Sequence, residues 1–212
     1  MGMKYAQYGE EAHIRKFFYS KENGVCVDVG AADGIRYSNS RMLIQELGWK
    51  GILVEPNINF YNSLENLYSN ADGIHLMNNA VYNKIGVMPF YEFGDSEHAQ
   101  VSTLSKEFKK RVEAKHSDLG KYKDPVDIDV ITLETVLSKA MAIFGNVDFL
   151  SVDCEGVDME VIQSNNWNRY RPRLVCVEHS MPKDELNKFM ESNRYEFLLS
   201  TIGNSFYKNK EI

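Results

Sequence analysis

Carboxylates fall repeatedly where a short apolar run of this 212-residue chain gives way to small, turn-forming residues. The first such junction is Val25-Cys26-Val27-Asp28-Val29-Gly30-Ala31-Ala32-Asp33-Gly34. Gly30 and Gly34 can take backbone conformations that a Cβ forbids, so a turn built on Gly30, Ala31 and Gly34 lets the main chain approach a ligand closely. The spacing is not that of a dinucleotide GxGxxG fingerprint, which would seat a pyrophosphate at a helix N-terminus. Asp28 and Asp33 would repel phosphate and attract a cation. The charge pattern therefore favours a positively charged ligand.

The second junction, Gly51-Ile52-Leu53-Val54-Glu55-Pro56, delivers Glu55 21 positions beyond Gly34. That is near the spacing at which an acid on a second strand reaches ribose hydroxyls. A lone strand-end Glu is usually solvated, and a lone glycine turn is usually only a turn. In register, Asp28, Gly30, Ala31, Asp33, Gly34 and Glu55 together point to a nucleoside-type cofactor. Asn79, after a third run, could set its amide beside a base edge or simply close an Asx turn.

Asp153 and Glu155 follow the run Phe149-Leu150-Ser151-Val152, and Gly156 can release the chain into a helix from about Val157. Two carboxylates that close can share a hard divalent cation such as magnesium, or one can take a proton while the other orients it. Acidic residues also favour a helix N-terminus without any function, so capping is the competing reading. Glu178 and His179 close the run from Leu174 in the same way. With an unperturbed pKa near ~6.5, His179 is largely neutral at pH 7 and is the histidine expected to act as base. His98 is second, while His13, His75 and His116 have no comparable company.

Positioning these groups at adjacent strand tips requires βαβ units and a mostly parallel sheet. Strands are expected at Val25 to Val29, Gly51 to Val54, Ile74 to Asn78, Phe149 to Asp153 and Leu174 to Glu178. Between them, Asn39 to Leu47 and Thr132 to Ile143 each gather apolar residues on one helical face. The tail, Tyr195 to Thr201 and Asn204 to Tyr207 across Gly203, reads as a closing antiparallel hairpin. One polar, charged segment, Glu92 to Pro125, interrupts the rhythm and is either an active-site lid or a disordered surface loop.

Apolar residues make up 43% of the chain, enough for the core of one α/β domain spanning residues 1–212. The 24 basic residues are outnumbered by 30 acidic ones, giving net charge -6, which disfavours nucleic acid as a partner. The basic cluster Lys106, Lys109, Lys110, Arg111 and Lys115 is interleaved with Glu107 and Glu113, as on a solvated helix. Cys26, Cys154 and Cys176 form no CxxC pair and sit in or beside apolar runs, where they should face the core. Their odd number, with no signal peptide and no apolar run of membrane-spanning length, makes the cytoplasm the expected location.

Taken in order, these segments resemble the FkbM family of methyltransferases. The likeness rests on Gln7-Tyr8-Gly9-Glu10-Glu11, Asp28 through Gly34, Ser38-Asn39-Ser40, Gly48-Trp49-Lys50-Gly51 and Val54-Glu55-Pro56. It continues with Asn79-Ala80, Ser102-Thr103-Leu104, Thr132-Leu133 and Phe149 through Gly156. The resemblance implies a Rossmann-like class I methyltransferase fold, which the terminal hairpin read from the tail suits. It also implies S-adenosylmethionine as donor and a hydroxyl of a sugar, glycan or glycosylated natural product as acceptor. The segment Glu92 to Pro125 matches little of the family. Two further readings stand beside this one: a nicotinamide-dependent oxidoreductase on a similar sheet, and a non-catalytic nucleoside-binding scaffold.

Overall fold

A computed structural model of the chain describes residues 5–94, 99–115, 120–179 and 183–211. His98 and His116 lie outside the described residues. The strands are β1 (Val25–Val29), β2 (Lys50–Val54), β3 (Ile74–Met77), β4 (Ala80–Val81), β5 (Gly86–Phe90), β6 (Val126–Ile131), β7 (Phe149–Val152), β8 (Leu174–Glu178), β9 (Tyr195–Ser200) and β10 (Asn204–Asn209). The helices are α1 (Glu10–Phe17), α2 (Arg41–Leu47), α3 (Ile58–Tyr68), α4 (Lys106–Lys115), α5 (Leu133–Phe144), α6 (Asp158–Gln163) and α7 (Lys183–Ser192).

Seven strands make the main sheet, in the order β3-β2-β1-β7-β8-β10-β9. The first five are parallel, and β10 runs antiparallel to both β8 and β9. The order reverses between β1 and β7, so their carboxyl ends open a crevice of the kind in which open α/β sheets bind ligands. β1 and β7 are continuous apolar runs because both faces are covered, and every residue in them is buried. On one face α5 supplies Leu133, Val136, Leu137 and Ala140 to a core that also holds Val27, Ile52 and Leu150. On the other, α1, its C-cap Phe18 and α2 bring Ile14, Phe18, Met42, Leu43 and Leu47 onto Cys26, Phe149 and Cys176.

The limits of the expected elements agree with expectation within two residues, and the small offsets have local causes. α2 starts at Arg41 rather than Asn39 because Asn39 turns inward to donate to Ser151 Oγ at 3.1 Å, and Ser38 Oγ accepts from Arg41 N. β3 stops at Met77 because Asn78 uses its side-chain amide to bind the carbonyls of Glu55 and Pro56. α5 begins after Thr132, whose hydroxyl caps Thr135 N.

The segment Glu92 to Pro125 is not featureless. It holds a short 3-10 turn at Ala99–Val101 and the helix α4, and it is stitched down by bridges Tyr91 to Thr103 and Phe93 to Tyr122. Flanking it, β4, β6 and β5 form a second sheet in that order. β6 pairs parallel to β4 and antiparallel to β5. α4 carries the basic cluster with only Val112 buried, and Lys109 pairs with Glu113 one turn on, as a solvated helix would.

At the lower end of the sheet, where the parallel strands begin, Asp148 is buried and fully engaged. It accepts from Val25 N, from the Lys21 ammonium at 2.7 Å and from Arg173. Burial alone would raise its pKa, but the hydrogen bonds and charge of Lys21, with help from Val25 and Arg173, hold it below the usual carboxylate range.

Candidate active site

At the upper end, a cavity of about 210 Å³ opens over the tips of β1, β2, β7 and β8. A water needs about 10–15 Å³ on the same measure, so this is room for a small organic molecule. Its lining draws on the turn after β1, on Glu55 and Pro56, on Asp153 through Glu155, and on Ala99 through Leu104 of the insertion.

The turn after β1 is held by main-chain bonds. Gly30 N and Ala31 N both donate to Val54 O, and Ala32 N donates to Glu55 Oε2 at 2.8 Å. Gly30 has φ 84, and a Cβ there would stand 1.8 Å from the carbonyl oxygen of Asp153, so glycine is compulsory. Ala32 also sits in the left-handed region, at φ 48, a conformation that costs a residue with a Cβ roughly 1–2 kcal/mol. The bonds around it supply the compensation.

Asp28 and Glu55 face this turn from below. Ser40 Oγ donates to Asp28 Oδ2 at 2.5 Å. Burial pushes the Asp28 carboxyl up to about 6, against the pull of Ser40 and Ser151. Glu55 takes one backbone N–H on each oxygen, from Ala32 and from Asn57, which fixes its plane and leaves further lone pairs to accept from a ligand. Burial raises it to about 7 despite those two bonds.

Asp153, Glu155 and Glu178 form the second constellation, each with an oxygen within 4.8 Å of the others. β7 and β8 are adjacent and in register, which brings the residues after Val152 beside Glu178. Glu155 and Gly156 are both left-handed, at φ 50 and 94, so the chain doubles back before α6. Burial, then the nearby Asp158 and Asp28 carboxylates, raise Asp153 to about 7. Burial and the charge of Asp153 lift Glu155 and Glu178 well above the carboxylate range. Such a group can share protons or hold a cation, and Asp153 is poised to exchange a proton near neutral pH.

The expected site residues divide on placement. Asp28, Gly30, Ala31, Glu55, Asn79, Asp153 and Glu155 all line the cavity. Asp33 does not: its carboxylate accepts from Ile35 N and Arg36 N and pairs with the Arg36 side chain, closing a turn. Gly34 is also outside the lining, and its missing Cβ makes room for Leu64 of α3. His179 is at the tip of β8 but outside the lining. One ring nitrogen meets Ser205 Oγ at 2.7 Å and the other Ile202 O at 3.3 Å, and burial lowers its pKa. Cys154 is half-buried, packed against the core as expected and also contributing to the cavity wall.

Several contributors were not anticipated. Asp158, wholly buried, accepts from Cys154 N and shapes the turn that carries Asp153. An acid two residues past Gly156 was the signal for it. Gln7, which opens the first motif of the family resemblance but was given no site role, lines the cavity, and so does Gln100, which had no sequence signal beyond its type. Thr103 donates to the carbonyl of Glu155 at 2.7 Å, binding the insertion to the turn after β7. Phe108 of α4 packs where a Cβ on Gly156 would be.

The profile of the Methyltransferase FkbM domain matches residues 28–200, which takes in both constellations and the insertion. The chain belongs to the FkbM methyltransferase family. Its main sheet has the Rossmann-like class I methyltransferase fold, as in the crystal structure of methyltransferase FkbM from Methylobacillus flagellatus KT. The two share 14% identity and a TM-score of 0.54 over 89% of this chain and 44% of that one. This FkbM-family chain thus spans under half the length of that protein. The METTL16 MTase domain is also similar, at 10% identity and TM-score 0.50, over 94% of this chain and 66% of that one. No curated protein matches the chain. No helix among the described residues is long and apolar enough to cross a membrane.

Proposed function

We propose that this chain transfers the methyl group of S-adenosylmethionine to a hydroxyl of a sugar, glycan or glycosylated small molecule. The observation that carries the donor is the pairing of Glu55 with the turn after β1. Both its oxygens are already oriented by backbone N–H groups, and the lone pairs left over face a cavity lined by Asp28 and the small residues Gly30 and Ala31. A sulfonium suits that wall, which carries acids and no phosphate-binding glycine pattern. Phe60, Val81, Phe90 and Leu104 supply apolar lining for a base, with Asn79 beside it.

When bound, S-adenosylmethionine supplies the electrophilic methyl group. The protein supplies alignment, exclusion of water and a place for the acceptor's proton. Asp153 is the group we assign to that proton: its raised pKa matches the working pH, and a hydrogen bond with Glu178 orients it. A divalent cation such as magnesium on the same three carboxylates is the second reading, favoured by their mutual closeness. Activity that survives a chelator supports proton transfer through Asp153, and loss restored by magnesium supports the metal.

Titration with S-adenosylhomocysteine by calorimetry tests the donor site. Micromolar binding is expected, weakened about 10- to 100-fold in Glu55→Ala, because hydrogen bonds to a charged group are worth roughly 1.5–3 kcal/mol. NAD binding in its place would favour the oxidoreductase. Tight binding with no methyl transfer to any sugar acceptor would favour the scaffold.

A further inference from the structure

Glu10 is wholly buried, yet it belongs neither to the donor wall nor to the carboxylates assigned to the acceptor's proton. It ties down a strap made by Tyr5 to Gly9. One carboxylate oxygen accepts from Tyr8 N at 2.8 Å, and the other from the Thr201 hydroxyl at 2.6 Å and Asn204 Nδ2 at 3.1 Å. Tyr8 also fills the space that a Cβ on Gly203 would need, which seats this end of the strap on the turn between β9 and β10. At the other end Glu11 accepts from Tyr5 N and Ala6 N. The Tyr5 ring lies against the guanidinium of Arg41, which donates to the carbonyl of Gly34 in the turn after β1. The strap therefore runs from the turn after β1 to the hairpin beside β8. Of its residues Gln7 alone lines the cavity, and Gln7 is exposed, with no hydrogen-bond partner among the described residues.

In the donor reading, Glu55 at the tip of β2 takes the ribose and Asn79, just past β3, lies beside the base. The strand order is β3-β2-β1-β7-β8, so the amino-acid end of the donor falls on the side where the strap crosses. That end carries an ammonium and a carboxylate. Asp28, Asp153 and Glu178 on the lining suit the ammonium. The carboxylate needs N–H donors, and several on the lining are already engaged. Gly30 N and Ala31 N bind Val54 O, Ala32 N binds Glu55, the Asn39 amide binds Ser151 Oγ, and Arg36 Nε pairs with Asp33. Gln7 brings an amide N–H that the protein leaves unused.

We infer that the Gln7 side-chain amide holds the α-carboxylate of the donor, and that Glu10 is the positioning residue that fixes the strap carrying it. This rests on the cavity being the S-adenosylmethionine site. The burial of Glu10 then has a purpose: it anchors to the terminal hairpin a segment that meets the ligand through one side chain.

The test titrates the full chain by calorimetry with S-adenosylhomocysteine and with 5′-methylthioadenosine, which keeps the base, ribose and sulfur but has no amino-acid end. Gln7→Ala should weaken S-adenosylhomocysteine about tenfold, the effect of one hydrogen bond to a charged group, and leave 5′-methylthioadenosine unchanged. Gln7→Glu should weaken S-adenosylhomocysteine further, because it sets like charges together, and again spare 5′-methylthioadenosine. Both Gln7 variants should keep the wild-type Tm, since the side chain is exposed. Glu10→Gln should weaken S-adenosylhomocysteine in the wild-type background and add nothing in Gln7→Ala, a coupling that a merely structural role would not produce. Equal loss of both ligands in Gln7→Ala, no loss of either, or tighter S-adenosylhomocysteine binding in Gln7→Glu would overturn the inference for Gln7. A full added loss from Glu10→Gln in the Gln7→Ala background would overturn it for Glu10. Failure of wild-type protein to bind S-adenosylhomocysteine would instead overturn the reading beneath it.

Discussion

The two ends of the main sheet both bury carboxylates, and they treat them in opposite ways. At the lower end Asp148 has Lys21, Arg173 and a backbone N–H, and its pKa is depressed. At the upper end Asp28, Glu55, Asp153, Glu155 and Glu178 crowd a cavity with little positive charge, and their pKa values rise. One end spends its acid on holding the fold together. The other gives its acids neutral hydrogen-bond donors or one another but no ion pair among the described residues, a state that weakens the fold and suits proton exchange or a cationic ligand.

Exchange of single residues should expose that contrast. The largest effect is expected from Asp148→Asn, which removes the anion between the part-exposed Lys21 and Arg173 and should cost about 2–3 kcal/mol near neutral pH in denaturant unfolding, the scale of hydrogen bonds to a charged group. A depressed native pKa stabilises above the unfolded value near ~4 and loses that contribution as pH falls through it. The gap between wild type and Asp148→Asn should therefore close in acid. Asp153→Asn should show the reverse. With a native pKa of about 7, the folded chain holds the extra proton between roughly pH 4 and 7, so wild-type stability falls as pH rises across that window. The variant should then be more stable than wild type at pH 8, by about 2 kcal/mol, with the difference shrinking toward pH 4. The smallest effect is expected from Thr103→Val, which takes the donor from Glu155 O and the acceptor from Ser105 N. It should cost about 1 kcal/mol by thermal unfolding and leave S-adenosylhomocysteine affinity unchanged, since it loosens the insertion and not the donor wall.

The sheet and its tips were legible because their signals are local. A buried parallel strand is a run of apolar residues, and the small residues and acids that follow it mark the tip, so β1, β2, β7 and β8 and the lining residues Asp28, Glu55, Asp153 and Glu155 could be read off directly. Asp33 and His179 obeyed the same pattern, yet neighbouring backbone and the terminal hairpin claimed their side chains. No rule of spacing distinguishes an acid that faces a cavity from one that closes a turn. The insertion was opaque for a different reason. Its anchors are long-range, Thr103 on Glu155, Phe108 on Gly156, Phe93 bridged to Tyr122, and the second sheet pairs the two-residue β4 with β6 across some fifty positions. Periodicity cannot report contacts between segments that far apart.

The carbonyl of Asp153 occupies the space that a side chain on Gly30 would need. The turn that would cradle the donor and the turn that would receive the acceptor's proton therefore touch through main chain, and Asp153 N donates to Val29 O at 3.0 Å. Their separation is set by the pairing of Val29 with Val152 one step below and owes nothing to rotamers. Thermal jitter of the surrounding side chains can then leave the distance between the two backbone turns where the paired strands put it.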